Sequence, residues 1–346
     1  MGIGTSEPLV SVVIPTYNRG ALIGETLETV FAQTYPRLEV IVIDDGSTDN
    51  TEKAVEPFLD RLTYIRQKNQ GLAGARNTGL GRATGEYVAW QDSDDLWNPE
   101  KTALQLAFMR RHPDTVCIAS DFSAFSADGF FERSHVRTYY GSINKNPRGL
   151  DGMFSDQEVL TTRELPHVGE GLPETVRVYS GDLYDTLVQG NCLHPPTVMF
   201  RRDAAARAGQ LNGAFRKDVD WEYLLRLSRV GRCAFVDLPL MRYRYSDDQM
   251  SGDAQLVDIA LSRLLVMEEL KARDPALLGR PFFRRRVGYS HLAAARALAE
   301  SARLRAVGHL FRSLGWGYFE GGTVTTLAKV FTPGWALRLY RQSRGA

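Results

Sequence analysis

Residues 9–18 read LVSVVIPTYN, an apolar run that ends in a polar turn, and this pattern decides the fold. Apolar residues at helical spacing follow over residues 23–31, which predicts a strand, a loop and a helix. Further apolar runs occur at residues 40–45 (VIVIDD), 62–65 (LTYI) and 87–95 (YVAWQDSDD). Strands that alternate with helices predict a mainly parallel sheet whose two faces are covered by helices.

Polar residues follow three of these predicted strands. They are residues 17–19 (Tyr-Asn-Arg) after the first strand, Asp44 and Asp45 after the second, and residues 92–95 (Asp-Ser-Asp-Asp) after the fourth. In open parallel sheets, ligands bind beyond the carboxyl ends of the strands. Carboxylates at positions i and i+2 suit a hard divalent cation such as Mg²⁺ or Mn²⁺. We therefore expect a cleft for a nucleotide and a metal ion at this edge.

Other interpretations exist for single residues at this edge. Asp45 is also a typical turn or helix-capping residue, and Tyr17 could pack rather than stack on a base. The turn at residues 15–18 (Pro-Thr-Tyr-Asn) matches neither GxGxxG nor GxxxxGK[ST]. A diphosphate is therefore expected to meet a metal ion held by Asp94 rather than a glycine-rich phosphate loop, and the ion would neutralise the departing diphosphate.

The composition is that of an ordinary globular protein. The chain has 346 residues, 43% hydrophobic and 24% charged, enough for one large domain and an appendage. Its three cysteines, Cys117, Cys192 and Cys233, are widely spaced, which favours neither disulfides nor a zinc site and fits a reducing, cytoplasmic setting. We expect neither a signal peptide nor a membrane-spanning segment.

Charge divides the chain into an acidic and a basic part. Residues 256–346 carry 15 Lys+Arg and 6 Asp+Glu, whereas residues 1–255 carry 27 and 35. The apolar residues between Leu292 and Leu310 recur every three or four positions, which predicts one long helix with arginines on its opposite face. This region could contact an anionic inner-membrane surface, or simply pack on the body with a solvated basic face. No motif indicates nucleic-acid binding.

Five short motifs occur in order along the first hundred residues: VSVVIPTYN (10–18), VIDDGSTD (42–49), ARNTG (75–79), ATGEY (83–87) and DSDDLW (92–97). Together they resemble family 2 glycosyltransferases of the GT-A fold. The resemblance weakens after them and continues to about residue 250. It implies an α/β catalytic domain over residues 1–250, with a nucleotide-binding half (1–120) and an acceptor half (121–250), and a basic helical region over residues 251–346.

The resemblance also assigns roles on the donor side. It implies nucleotide contacts by Pro15, Tyr17, Asn18, Asp45, Arg76, Asn77, Asp92 and Ser93. Asp94, with Asp92, would hold Mg²⁺ or Mn²⁺. For Arg76 and Asn77, a structural role that ties loops together is an open alternative.

On the acceptor side, the resemblance identifies Asp220 as the general base. Two departures stand out: Val219 replaces the usual Glu before this Asp, and no His follows Tyr243-Arg244. The alternative for Asp220 is a helix-start residue that faces the helix dipole. His194, Trp221 and Asp95 are expected near the acceptor, although a lone His such as His194 is often structural. Residues 123–189 show no clear periodicity, which predicts long loops and short strands over the cleft mouth.

The sequence therefore predicts a metal-dependent inverting glycosyltransferase. A nucleotide-diphosphate sugar, with UDP favoured, would donate to a hydroxyl of a saccharide, lipid-linked or other small acceptor in polysaccharide or glycoconjugate biosynthesis. The alternatives are a catalytically silent nucleotide-sugar binding module and a sugar nucleotidyltransferase. We expect a cytoplasmic protein that could also lie peripherally at the inner face of the membrane, with no nucleic-acid partner.

Overall fold

A computed structural model describes residues 7–126, 129–132, 134–144, 146–245 and 255–332. These residues form two compact units. The first holds the described residues up to 214 together with residues 219–245, and the second holds residues 215–218 with the described residues from 255 onward. The predicted boundary at residue 250, and the division into a nucleotide half and an acceptor half, stay predictions.

Within the described residues, the first unit contains one sheet of 11 strands. In chain order the strands are β1 (Val10–Thr16), β2 (Leu38–Asp44), β3 (Thr63–Arg66), β4 (Tyr87–Trp90), β5 (Leu96–Trp97), β6 (Thr115–Ser126), β7 (Gly129–Glu132), β8 (Asp156–Thr161), β9 (Thr175–Gly181), β10 (Met199–Arg201) and β11 (Arg232–Arg244).

The sheet has a parallel half and a mixed half. Its order is β3-β2-β1-β4-β10-β6-β11-β9-β8, with β5 paired to β11 and β7 to β6. Strands β3, β2, β1 and β4 are parallel neighbours. Strand β10 runs antiparallel between β4 and β6, and β11 is parallel to β6. The fold is thus a mostly parallel sheet with flanking helices, which confirms the predicted fold class.

Helices connect the strands and form most of the second unit. In chain order they are α1 (Ile23–Phe31), α2 (Thr51–Val55), α3 (Gly71–Arg82), α4 (Lys101–Arg111), α5 (Val136–Tyr139), α6 (Gly141–Asn144), α7 (Tyr184–Gln189), α8 (Arg202–Ala208), α9 (Val219–Ser228), α10 (Leu256–Arg273), α11 (Pro281–Leu298), α12 (Arg303–Gly315) and α13 (Gly321–Phe331). Single 3₁₀ turns lie at Glu56–Phe58, Gly149–Gly152, Thr162–Glu164, Pro195–Thr197 and Pro275–Gly279.

Strand β1 lies at the centre of the parallel half and is buried along its whole length. This follows from its position, because a strand covered by helices on both faces buries all of its side chains. Helix α3 approaches β1 closely at Gly79, where a Cβ atom would lie 2.3 Å from Cγ1 of Val13. The glycine therefore lets α3 lie against the sheet, and α3 carries Arg76 and Asn77.

Residues 123–189 contain the short strands β7, β8 and β9 with longer connections between them, and β8 and β9 extend the sheet. Their predicted position over the cleft mouth stays a prediction. A separate sequence prediction is wrong. The predicted long helix from Leu292 to Leu310 is two helices, α11 and α12, joined by a short turn. Its apolar residues pack together in shared clusters of the second unit. Three- and four-residue spacing continued across the turn, so the pattern did not distinguish one helix from two.

A helix that crosses a lipid bilayer must be long enough to span it and apolar along its length. Within the described residues, no helix combines the length and the apolar character needed to span a membrane.

Candidate active site

The loop after β1 is fixed to the loop after β2 through Asn18. This residue has a left-handed backbone (φ 52°), a conformation in which Asn is favoured over most residues. Its backbone N–H donates to Ser47 Oγ (2.9 Å), and its Oδ1 accepts from the Thr48 N–H (2.8 Å). Asn18 therefore braces the rim. Tyr17 beside it is about half exposed, whereas Pro15 is buried in β1.

Asp45 begins the loop after β2 and is buried. Its Oδ1 accepts from the Gln67 side-chain amide (2.7 Å) and from the Gln70 backbone N–H (2.9 Å). Gln67 in turn accepts from the Thr78 hydroxyl on α3 (2.7 Å). The carboxylate of Asp45 thus holds the segment that leads into α3.

The Asp92–Asp94 pair follows β4, and an arginine contacts each carboxylate. Arg76 Nη2 lies 2.9 Å from Asp92 Oδ1, and Arg19 Nε lies 3.2 Å from Asp94 Oδ2. The side chains of Asp92 and Asp94 are 37% and 23% exposed, so both are accessible from the cleft. Burial, and then the charge of Asp92, raise the pKa of Asp94, while Arg19 opposes the shift.

Arg76 is the central residue of the site. It is fully buried, its guanidinium carbon lies 4.3 Å from the centre of the Trp90 ring, and it forms ion pairs with both Asp92 and Asp220. Burial lowers the pKa of Arg76, and the Asp92 carboxylate opposes that shift. A guanidinium neighbour stabilises the ionised form of a carboxylate. One side chain therefore joins the predicted nucleotide-binding carboxylate to the predicted base.

Asp220 reaches Arg76 from the first turn of α9. Its side chain is 17% exposed, so the carboxylate lies at the cleft wall without being sealed in the core. An acidic residue in the first turn of a helix also faces the positive end of the helix dipole. The geometry is thus compatible with both interpretations of Asp220, base and helix-start residue.

Three other residues that were predicted to contact a substrate are buried or hydrogen-bonded within the protein. Asn77 donates to the Leu211 carbonyl (2.9 Å) and accepts from the Leu211 N–H (2.8 Å). Asp95 is buried and accepts from the Arg244 backbone N–H (2.9 Å). Burial, followed by the charges of the two other carboxylates in the motif, raises the pKa of Asp95 well above its usual value. Ser93, between Asp92 and Asp94, is buried.

Trp221 and His194, which the sequence predicts near the acceptor, are buried as well. The Trp221 indole N–H donates to the Leu187 carbonyl (2.7 Å). His194 stacks on Phe122 (ring centres 4.0 Å apart), and its Nδ1 lies 2.9 Å from the Tyr140 hydroxyl. Burial, with smaller contributions from nearby positive groups, lowers the pKa of His194 to about 3. Its Nε2 has no hydrogen-bond partner among the described residues.

Arg19 and Arg244 are absent from the predicted set of site residues, yet both contact the loop that carries Asp94. Besides the Arg19–Asp94 pair, Arg244 Nε donates to the Asp94 carbonyl (2.9 Å) and its guanidinium pairs with Glu25. The sequence did place Arg19 at the rim after β1. Its partner was not visible, because Asp94 lies 75 residues further along the chain.

The rim offers few side chains that could ligate a metal ion. The described residues contain no group of three or more His, Cys, Asp and Glu side chains that could hold one. The candidate donor set is the carboxylate pair of Asp92 and Asp94. That set fits Mg²⁺ or Mn²⁺, because such ions are commonly held by one or two carboxylates together with substrate phosphates and water.

The sequence is similar to those of known glycosyltransferases. The model of glycosyl transferase family 2 matches residues 11–164. An uncharacterised glycosyltransferase of Rickettsia typhi is 37% identical over 252 residues, which cover 72% of this chain and 68% of the relative. The putative teichuronic acid biosynthesis glycosyltransferase TuaG of Bacillus subtilis is 32% identical over 171 residues, which cover 47% of this chain and 68% of TuaG.

Two solved structures share the fold. S. aureus TarS in complex with UDP-GlcNAc superimposes with a TM-score of 0.55 at 19% identity, over 89% of each chain. The mannosyltransferase PcManGT from Pyrobaculum calidifontis, in complex with GDP-Man and Mn²⁺, gives 0.53 at 23% identity, over 99% of this chain and 83% of PcManGT. Fold and sequence together define the class as a glycosyltransferase with a GT-A-like catalytic fold. The chain belongs to glycosyltransferase family 2.

Proposed function

We propose that this glycosyltransferase moves a sugar from a nucleotide-diphosphate donor, with UDP favoured, to a hydroxyl group, with inversion at the anomeric carbon. The observation that carries the proposal is the bridge made by Arg76. It holds Asp92 of the donor loop and Asp220 of α9 at one cleft. A displacement in one step needs a leaving-group site and a base side by side.

On the donor side, Asp94 and Asp92 would hold Mg²⁺ or Mn²⁺. The ion, when bound, would supply Lewis-acid stabilisation of the diphosphate. Tyr17 presents its half-exposed ring at the rim, where a nucleobase can stack. Arg19 is close enough to Asp94 to contribute a guanidinium beside the phosphates, and such groups bind phosphate oxygens through several N–H donors.

On the acceptor side, Asp220 accepts the hydroxyl proton as the acceptor oxygen bonds to the anomeric carbon. The bond from that carbon to the diphosphate oxygen breaks in the same step, so the electron pair leaves with the nucleotide. Arg76 forms an ion pair with Asp220 and so orients its carboxylate. Asp220 thus acts as the base and Arg76 positions it.

Several residues that were expected to touch substrates are better assigned to supporting roles. Asn18 and Asp45 brace the rim loops, and Asn77 ties α3 to Leu211. Asp95 fixes the donor loop to the end of β11. The remaining members of this group are buried; they are Pro15, Ser93, His194 and Trp221.

The acceptor is proposed to be a saccharide, a lipid-linked saccharide or another small hydroxyl compound used in polysaccharide or glycoconjugate synthesis. A lipid-linked acceptor would require the enzyme to work at the inner face of a membrane. The relative TuaG is named for teichuronic acid biosynthesis, which is a reason to include polysaccharide acceptors among the substrates tested.

A donor panel tests the proposal. Release of nucleotide would be measured for UDP-, GDP- and dTDP-sugars with Mg²⁺, with Mn²⁺ and with a chelator. We expect release from one class of donor that requires a divalent ion and increases when an acceptor is added. Metal-dependent binding of UDP without turnover of any donor would contradict the proposal and indicate a silent binding module.

A further inference from the structure

Helix α12 in the second unit exposes an apolar face. Leu304 is 89% exposed and Phe311 is 63% exposed, and Leu314 lies next to them with 37% exposure. At 100° per residue these positions fall within about 80° of one another. Single exposed apolar residues are common on protein surfaces, but several on one side of a helix mark an interaction surface.

The opposite side of α12 packs against the rest of the unit, which explains why the apolar side chains of the first side remain exposed to solvent. Ala306 and Leu310 are buried, and they pack with residues of α11 such as Leu292 and Leu298. Ser313, on the same side, donates to the Gly288 carbonyl (2.9 Å). The helix therefore already has its packing partner, and its exposed apolar side chains are not required for the core of the unit.

The charges beside the apolar residues have one sign. Arg305 and Arg312 lie along one edge and Arg303 along the other, and α12 contains no Asp or Glu. Among the described residues, no ion pair is formed by these three arginines. Leu304, Phe311 and Leu314, together with the three arginines, form a surface that we name the α12 face.

The following helix, α13, repeats the arrangement on a smaller scale. Val324 and Phe331 are exposed on it, seven positions and therefore two helical turns apart. The second unit thus exposes apolar side chains on two successive helices.

We propose that the α12 face is a docking surface for an anionic lipid bilayer. An apolar face edged by arginines is the pattern of helices that lie in the plane of the membrane interface. The apolar side chains enter the boundary between headgroups and acyl chains, and the arginines meet anionic headgroups.

A second copy of this chain is a less suitable occupant. In a two-fold symmetric dimer, the same face would meet itself. Each row of arginines would then approach a row of arginines, with no carboxylate on the helix to neutralise it. Like charges across an interface oppose association. An anionic bilayer offers the opposite charge together with an apolar interior.

The inference deepens the proposed function by giving the enzyme a route to membrane-associated acceptors. It does not depend on the chemistry of the cleft, so each can fail without the other. Vesicle binding is measured without substrates, and donor binding is measured without vesicles.

Gly308 provides a test that does not disturb the fold. It lies on the exposed side of α12, and a Cβ atom there would meet nothing within 4 Å. Gly308→Glu adds a negative charge beside the α12 face and improves the intrinsic helix propensity at that position. Gly81→Glu is the matched control, because Gly81 is also exposed, helical and free of contacts. Both variants change the net charge by the same amount.

The experiment is flotation of the full chain with vesicles of phosphatidylcholine alone or with about 30% phosphatidylglycerol, an anionic lipid. We expect binding to the anionic vesicles only, a decrease with salt, and a roughly tenfold or greater loss in Gly308→Glu. Each arginine should contribute about fivefold. Phe311→Ser should also reduce binding, whereas Gly81→Glu should bind like the unmodified chain.

Three outcomes would overturn the inference. One is no binding to anionic vesicles by the unmodified chain, and another is equal binding by Gly308→Glu and Gly81→Glu. The third is a self-associated protein in sedimentation that Gly308→Glu converts to monomer, which would assign the face to a second copy. Thermal unfolding of both glycine variants verifies that the fold is retained.

Discussion

Replacing Arg76 by Lys perturbs the bridge between the donor loop and the predicted base. Arg76 Nη2 pairs with Asp92 at 2.9 Å while Nη1 pairs with Asp220, and the whole side chain is buried. A lysine retains the charge, but its single ammonium group on a different stem cannot reproduce a planar fork between two carboxylates. One carboxylate therefore loses its partner, and the direction of Asp220 is no longer fixed.

The size of the effect follows from burial. Breaking a fully buried ion pair costs about 3–5 kcal/mol. Because Asp92 is 37% exposed and Asp220 17% exposed, water replaces part of the lost interaction. We therefore expect the free energy of unfolding to fall by about 2–3 kcal/mol. A base displaced by about 1 Å lowers the catalytic rate roughly 100-fold.

The assay is a double-mutant cycle on kcat, with urea unfolding measured in parallel. If Arg76 acts through Asp220, then Arg76→Lys combined with Asp220→Asn is no slower than Asp220→Asn alone. Arg226→Lys is the control, because Arg226 forms a similar two-bond pair with Glu222 on α9 (2.8 Å each). It should lose stability but keep kcat. Multiplied losses in the double variant would refute the positioning role of Arg76.

Three further predictions concern the rim, the core and α3. Arg19→Gln should weaken UDP binding about tenfold in calorimetry, since one charge-assisted hydrogen bond to phosphate contributes about 1.5–3 kcal/mol; unchanged affinity would remove Arg19 from the phosphate site. In His194→Gln, the free energy of unfolding measured with urea should decrease less steeply as the pH falls than it does in the unmodified protein. The pKa of His194 is about 3 in the fold and about 6.5 when unfolded, so the unfolded state gains protons first as pH falls. Unmodified protein therefore loses up to about 1.4 kcal/mol per pH unit between pH 6.5 and 3 from this group, and identical slopes in both proteins would contradict the assignment. Asn77→Ala should lower the unfolding temperature while leaving the UDP affinity unchanged, because both Asn77 bonds go to Leu211; weaker UDP binding at full stability would show a nucleotide contact instead.

The parallel half of the fold was predictable because its signals are local. Each of strands β1, β2 and β4 is a short apolar run followed at once by polar residues, and the parallel arrangement brings those ends to one edge. The arginine bridge was not predictable in this way. Arg76 and Asp220 are 144 positions apart in the sequence, and no local pattern indicates which arginine will face which carboxylate.

Other differences have the same physical origin. Asp95 was expected near the acceptor, but its carboxylate is buried and accepts a hydrogen bond from the Arg244 N–H at the end of β11. Trp221 and His194 looked available for an acceptor, yet the core offers each of them a hydrogen-bond partner. The spacing from Leu292 to Leu310 described an apolar face correctly but not the turn that folds it into α11 and α12.

The most direct test compares Asp94→Asn and Asp220→Asn for UDP binding and for sugar transfer. Asp94→Asn is expected to abolish metal-dependent UDP binding. Asp220→Asn should bind UDP like the unmodified enzyme but lower kcat by about 10²–10⁴, the usual contribution of a general base. Full transfer activity in Asp220→Asn would contradict the account, because the cleft would then work without the carboxylate that Arg76 holds.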